Sequence, residues 1–316
     1  MRIVFMGTPE FAVNILDRLI QAGHDVAAVV TTPDRPAGRG QHLKCSDVKQ
    51  YALAHELPVL QPEKLKDPDF VAQLERLQAD AFVVVAFRML PSCVYTIPPK
   101  GTFNVHASLL PQYRGAAPIQ WAIINGETET GVTTFLLDEH TDTGDIIGQK
   151  QVSIDHDDNA GTLHDKLMHA GAELAVETLH QMEQNSLTPV KQTTPAQLKP
   201  APKIFKEDMH IDWDDTAENI YNKIRGLSPY PGAFTLLTEK ESNRTTQLKI
   251  FQCAISDNKS ADKPGLLRIQ DHKNLYISTK TSEIQVKIVQ IEGKKQMKTV
   301  DFLSGFHSEY YTDILK

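Results

Sequence analysis

Hydrophobic residues in the first half of the chain change their period at regular intervals. Short apolar runs over residues 3–6, 25–32, 57–60 and 81–87 alternate with stretches whose apolar positions recur every three or four residues. The short runs predict buried strands and the longer-period stretches predict amphipathic helices. Residues 9–22 form the clearest helical pattern, with Phe11, Ile15, Leu16 and Leu19 on one face and Gly23 as a stop. Ser46 is the expected cap of a helix reaching His55. Asp67-Pro68 joins a cap to a favoured first helical residue, opening a helix that runs to Leu77. Strands are expected over 102–106 and 132–137, a helix between Pro118 and Gly126, and a long helix over 161–183. Such alternation predicts an α/β fold, a Rossmann-like, doubly wound, mostly parallel sheet with helices on both faces. In these sheets ligands bind beyond the carboxyl ends of the strands.

The pattern breaks at Ser186. Over 186–206, Pro189, Pro195, Pro200 and Pro202 occur with Lys191, Lys199, Lys203 and Lys206, and no acidic residue is present. This composition predicts an extended, basic, Pro-rich linker. A helical stretch over 216–225 follows, then Ser228-Pro-Tyr-Pro-Gly232. Beyond it lie five short strand signals, over 234–237, 248–255, 265–269, 275–278 and 284–291. Strands at this spacing predict a small barrel or sandwich, and the form expected is a small β-barrel of OB-like type. The expected organisation is therefore a domain over 1–185, the linker over 186–206 and a β domain over 207–316.

A length of 316 residues agrees with two domains. The longest apolar run, over 81–87, is far too short to span a bilayer, and the chain opens on a strand signal with no signal-peptide pattern. A cytoplasmic monomer is expected. Cys45, Cys93 and Cys253 are odd in number and lack a Cys-x-x-Cys pair, so neither a disulfide framework nor a zinc clip is expected. Twelve histidines make no ligand motif, and no metal is expected. A net charge of −7 argues against indiscriminate nucleic-acid binding but leaves room for local basic patches.

The segment richest in chemistry is Gly101-Thr-Phe-Asn-Val-His-Ala-Ser-Leu-Leu-Pro111. Strand alternation turns Phe103 and Val105 into a core and sets Thr102, Asn104 and His106 on the other face. An amide beside an imidazole at a strand end offers donors to an oxygen that gains negative charge. The loop Asp138-Glu-His-Thr-Asp-Thr-Gly-Asp-Ile146 follows another strand, so Asp142 or Asp145 is a candidate to orient that imidazole or accept a proton. Two further motifs are weak. Gly7-Thr-Pro-Glu-Phe11 has one glycine where the dinucleotide fingerprint needs three, and Val132 stands where a phosphate-binding loop needs lysine.

Taken in order, Asn104-Val-His106, Ser108-Leu-Leu-Pro111, Tyr113-Arg-Gly-Ala-Ala-Pro118 and Asp142-Thr-Gly-Asp145 resemble the folate-dependent formyltransferase family. The basic loop Pro33-Asp-Arg-Pro-Ala-Gly-Arg-Gly40 is similar to the branch of that family acting on methionyl-tRNA, and Ile211-Asp-Trp213 extends the likeness into the second domain. The resemblance implies formyl transfer from 10-formyltetrahydrofolate to the methionine amino group on initiator tRNA. It implies a catalytic trio of Asn104, His106 and Asp142. It implies a folate site lined by Ser108, Leu109, Leu110, Pro111, Phe87 and Met89. It also implies a tRNA contact through Arg35, Arg39 and Lys44. One stretch departs from the family pattern: Ala86-Phe-Arg-Met-Leu-Pro91 is a residue short and lacks a glycine. The alternatives are an amino-sugar nucleotide or glycinamide ribonucleotide as acceptor and, in another class, a non-catalytic RNA-binding protein.

Overall fold

The strands and helices of the first half follow one another as β1 (Arg2–Gly7), α1 (Glu10–Gln21), β2 (Asp25–Val30), the hairpin β3 (Arg35–Ala37) and β4 (His42–Lys44), α2 (Asp47–Ala54) and β5 (Val59–Leu60). Then come α3 (Pro68–Arg76), β6 (Ala81–Val85), α4 (Ser92–Tyr95), β7 (Thr102–His106), α5 (Pro118–Ile124), β8 (Glu129–Leu136), β9 (Ile146–Ser153) and α6 (Ala160–Glu183). The computed structural model describes residues 1–37, 42–193, 196–259, 263–312 and 315. Two compact units divide the chain. The first takes residues 1–118, 129–153 and 164–202, and the second takes residues 119–128, 154–163 and 203–316. Among the described residues no helix is long and apolar enough to cross a membrane.

In the first unit seven strands make one sheet in the order β5-β2-β1-β6-β7-β8-β9. The five strands from β5 to β7 run parallel, and β8 and β9 add an antiparallel edge. The expected doubly wound, mostly parallel sheet is therefore present. Its helices begin where local chemistry predicts: Ser46 Oγ accepts the Lys49 N–H at 3.1 Å, and the Asp67 carboxylate accepts the Asp69 N–H at 3.0 Å. Gly23, at φ +84°, follows α1 in a conformation that side chains other than glycine resist.

Two strand ends differ from expectation. β6 stops at Val85 rather than at residue 87, because Ala86 adopts φ +47° and leaves the extended region. β8 starts at Glu129 rather than at 132, because its first residues pair with β9, a strand the apolar pattern does not announce. Phe5, Phe82, Phe103 and Phe135 lie on the four adjacent strands β1, β6, β7 and β8 and are wholly buried. Each such ring stabilises the fold by roughly 1.5–3 kcal/mol. On one face Val4, Met6, Phe82 and Val84 pack with Phe70 and Leu74 of α3 and Val94 of α4. On the other, α6 approaches so closely at Gly171 that a Cβ there would stand 3.3 Å from Val105 and 3.6 Å from Ile15 of α1.

The second unit contains α7 (Ala217–Gly226), β10 (Ala233–Thr238), β11 (Thr245–Lys259), β12 (Leu267–Gln270), β13 (Asn274–Ser278), β14 (Ser282–Ile291), β15 (Met297–Lys298) and α8 (Thr299–Leu303). Its strands pair antiparallel in the order β10-β11-β14-β13-β12, with β15 on β14. An antiparallel β domain was expected. Its closure into an OB-like barrel is not seen: among the described residues the path ends at β10 and β12 with no pairing between them. Trp213, Ile220, Ile224, Leu248, Ile250, Ile277, Val286 and Phe302 belong to its core, and the Trp213 indole N–H donates to Thr235 Oγ1 at 3.0 Å.

Candidate active site

The strand order of the first unit reverses direction of growth between β1 and β6, and the carboxyl ends of such neighbours frame the ligand crevice of doubly wound sheets. Gly7 closes β1 there, with room for nothing larger: a Cβ would lie 2.7 Å from that of Ala12 and 3.1 Å from the Val85 carbonyl. One strand further on, β7 ends at His106. Phe103 and Val105 are buried in the core as alternation predicts. Thr102, on the opposite face, donates its hydroxyl to the Tyr95 carbonyl at 2.7 Å. Asn104 lies between Thr102 and His106 on that face, and its amide Oδ1 is buried with no hydrogen-bond partner among the described residues.

His106 is buried, and its Nε2 stands 2.9 Å from the Tyr113 carbonyl. A carbonyl only accepts, so Nε2 carries the proton and Nδ1 is the nitrogen left to act. Nδ1 lies 3.9 Å from Asp142 Oδ2. That is beyond direct hydrogen-bond length but within reach of charge. Of the two acidic candidates it is therefore Asp142, not Asp145, whose carboxylate faces the imidazole. Asp142 itself adopts φ +55°, and its Oδ2 accepts the Gly115 N–H at 3.0 Å. Tyr113 and Gly115 sit on one turn, so a single piece of backbone holds both the imidazole and the carboxylate. That Asn104 shares a face of β7 with His106, and that Asp142 faces His106, was readable in part. The contribution of the Tyr113–Gly115 backbone was not, because main-chain groups leave no mark in a sequence.

The segment from Ser108 to Pro111 follows directly. Ser108 is wholly buried, with its hydroxyl donating to the Gln112 carbonyl at 2.7 Å. Leu110 is buried, and its N–H and C=O are held by Thr133 Oγ1 and Gln149 Nε2 at 3.1 and 2.9 Å. Leu109 and Pro111 are half-buried, and the Leu110–Pro111 peptide is cis. Beyond β6, Phe87 is half-buried while Met89 is 67% exposed. Between them Arg88 donates to the carbonyls of Pro62 and Glu63 at 2.8 and 3.2 Å and lies over the Phe87 ring at 5.3 Å. Burial, then the charge of nearby Arg35, pushes the Arg88 guanidinium below its ordinary range. The stretch that departs from the family pattern therefore carries a cation held by two backbone carbonyls. Sequence reasoning missed this residue as a contributor.

The basic loop is not irregular throughout. Arg35 and Lys44 are exposed and stand directly opposite each other on the β3–β4 hairpin. Like charges in opposed positions destabilise a hairpin unless an anion joins them. Arg39 lies outside the described residues. The hairpin base is clamped by Asp34, which pairs with Lys49 Nζ at 2.6 Å and accepts from Gln61 Nε2 at 2.8 Å. Those two hydrogen bonds, Lys49 first, hold the Asp34 carboxyl below its usual range.

Comparison with known proteins supplies the family. The family model described as formyl transferase matches residues 1–179, and that described as formyl transferase, C-terminal domain, matches residues 203–307. A methionyl-tRNA formyltransferase of Azobacteroides pseudotrichonymphae is 51% identical over 96% of this chain and 95% of its own length. Another, of Bacteroides fragilis, is 48% identical over 97% of this chain and 95% of its own length. Among solved structures, an N-formyltransferase of Helicobacter canadensis in complex with folinic acid and dTDP-3-aminofucose superposes with a TM-score of 0.64 at 22% identity, covering 90% of this chain and 97% of its own. HypX of Aquifex aeolicus in complex with tetrahydrofolic acid gives 0.64 at 17% identity, covering 96% of this chain and 47% of its own. The last two speak for the fold. With both family models matched and relatives alike over nearly their whole length, the chain belongs to the formyl transferase family.

Proposed function

We propose that this chain transfers a formyl group from 10-formyltetrahydrofolate to the amino group of methionine on initiator tRNA, acting in the cytoplasm as a monomer. In this reading residues 1–185 carry the chemistry, 186–206 form the linker and 207–316 bind tRNA. The observation that carries it is the meeting of Asn104, His106 and Asp142 at the end of β7, with the Asn104 amide oxygen buried and unpartnered. An unsatisfied buried acceptor costs about 1–3 kcal/mol, and a bound ligand that supplies a donor removes that cost. An attacking amine supplies N–H donors, while the Asn104 NH₂ is left to donate to the carbonyl oxygen under attack. One side chain thereby serves both reactants.

The folate donor, when bound, supplies a formyl carbon open to attack by an amine. Leu109, Pro111, Phe87 and Met89 offer it accessible apolar surface, whereas Ser108 and Leu110 act by fixing the shape of the loop. His106, when protonated at Nδ1, donates from that nitrogen to the oxygen gaining charge, with the Asp142 carboxylate 3.9 Å away. Asp142 also accepts the amine's proton; the bond between the formyl carbon and N10 of the donor then breaks, and N10 takes up that proton as tetrahydrofolate leaves. Arg35, Arg39 and Lys44 hold phosphates of the tRNA. The test supplies formyl donor with each acceptor separately: charged initiator tRNA, charged elongator tRNA, glycinamide ribonucleotide and an amino-sugar nucleotide. Product with charged initiator tRNA alone supports the proposal, and product with either small acceptor in its place overturns it.

A further inference from the structure

Residues 186–206 read by composition as a tether, yet several of the described residues over 190–201, in the first unit, are hydrogen-bonded to the loops of the site. Val190 and Ile146 exchange both backbone hydrogen bonds at 2.8 Å. Further along, the Tyr113 N–H donates to the Lys199 carbonyl at 2.7 Å and the Ala201 N–H to the Arg114 carbonyl at 2.9 Å. Gln112 takes the Lys199 N–H at 2.8 Å and donates to the Gln197 carbonyl at 3.0 Å. Gly115 lies so close to this strand that a Cβ would be 2.4 Å from the Ala201 carbonyl oxygen.

Gln192 is the side chain at the centre of this arrangement. Its Nε2 donates to the carbonyls of Asp142 and Gly144 at 3.0 and 2.8 Å. Its Oε1 accepts from Arg114 Nη2 and Nε at 2.6 and 3.2 Å. The two carbonyls only accept and the guanidinium only donates, so the amide has one orientation and every polar atom it owns is used. Arg114 lies between Tyr113, which holds His106, and Gly115, which holds the Asp142 carboxylate. Gln192 thus joins the two loops whose separation sets the distance from His106 to Asp142.

We infer that Gln192 is a positioning residue for formyl transfer, acting through the main chain of Asp142. The inference rests on the proposed role of Asp142. Asp142 sits at φ +55°, a left-handed conformation that aspartate tolerates and that a restraint on the nearby carbonyls holds in place. The Gln192 N–H groups supply that restraint at the residue's own carbonyl and two positions on.

The experiment compares Gln192→Met, Gln192→Glu, Asp142→Asn and the double variant Gln192→Met/Asp142→Asn in steady-state formylation. Gln192→Met keeps the volume and removes the hydrogen bonds. Gln192→Glu keeps the acceptor for Arg114 and turns a carboxylate oxygen toward two carbonyls. Both are expected to lose about tenfold in kcat with KM for each substrate within about twofold, the pattern of a group felt in the transition state. The double variant is expected to be no slower than Asp142→Asn alone, because Gln192 has nothing left to position. Wild-type turnover in Gln192→Glu overturns the inference, since pairing with Arg114 would then suffice. So does a double variant slower than Asp142→Asn by the full Gln192→Met factor. Normal turnover in Asp142→Asn overturns the reading of the site itself, and the inference with it.

Discussion

The Nε2–H of His106 is committed to the Tyr113 carbonyl, and the Oδ1 of Asn104 has no partner, so the two side chains are prepared differently. In the proposed mechanism His106, held at Nε2, acts through Nδ1, and Asn104 Oδ1 finds its partner only in the reactants. Replacing Asn104 by alanine removes an oxyanion donor, and kcat is expected to fall by about 10²–10³. The same change removes an unsatisfied acceptor, so the melting temperature is expected to move by less than about 3 °C. Activity and calorimetry on one purified variant check both halves, and near-normal kcat would take Asn104 out of the mechanism. Gly144 makes the opposite case. A Cβ there would lie 1.6 Å from the Leu136 carbonyl oxygen, so Gly144→Ala must push the Asp142 loop off β8. A loss of kcat together with a lowered melting temperature is expected, and unchanged values would show that the loop has slack. Asn104 and His106 were legible because strand alternation is a rule of nearest neighbours. Gln192 was not, since its partners lie 48 to 78 residues away and no local pattern links them.

Among elements, those with a strong period were legible to within a residue or two, as α1 and β7 were. The β3–β4 hairpin and β9 were missed for a physical reason. Arg35–Ala37 and His42–Lys44 are three residues each, too short for periodicity to register. β9 is an edge strand with no buried residue along it, so it lacks the apolar run that marks an interior strand. β11, expected over 248–255, extends across Thr245–Lys259 because Thr245, Thr246 and Gln247 pair with β10 and Lys259 pairs with Ser282 of β14 past a register shift, rather than by burying side chains. In the same sheet Arg268 of β12 reaches Glu283 of β14 with two hydrogen bonds, at 2.6 and 2.9 Å, and lies over the Tyr276 ring at 4.4 Å. The hydrogen bonds from Arg268 hold the Glu283 carboxyl below its usual range. A carboxyl depressed in the folded state stabilises fully above its unfolded value, about pH 4.3, and the contribution fades as pH falls through the folded value. Glu283→Gln is therefore expected to cost about 1–2 kcal/mol at neutral pH, modest because Arg268 is partly exposed. The gap in melting temperature between variant and wild type is expected to narrow below about pH 4. A gap independent of pH would assign the loss to packing instead.

Across the whole molecule the interleaving of the two units was the least legible feature. Residues 119–128 and 154–163 join the second unit through contacts that composition does not encode. Arg225 donates to the carbonyl of Asp158 at 2.9 Å, and Gly226 lets Ile124 approach to 2.7 Å from where a Cβ would stand. Charge was easier to read. A chain of net charge −7 draws no benefit from overall attraction to a polyanion, so its affinity for tRNA has to come from a few placed cations. Arg35 and Lys44, opposed on their hairpin and held at its base by Asp34, are the pair we propose for this, with Arg39 between them in sequence. If these three neutralise three phosphates, counterion release sets the salt dependence. The affinity for tRNA is expected to fall roughly 40-fold between about 50 and about 200 mM salt, while KM for the folate donor stays nearly constant. Arg39→Ala is expected to weaken tRNA binding and to lower the slope of log KM against log salt by about one, without changing the folate KM. Titrating both substrates across salt, for wild type and variant, checks the argument. An unaltered slope in Arg39→Ala would show that the hairpin is not where the phosphates are met, and equal effects on both substrates would point to a disturbed fold.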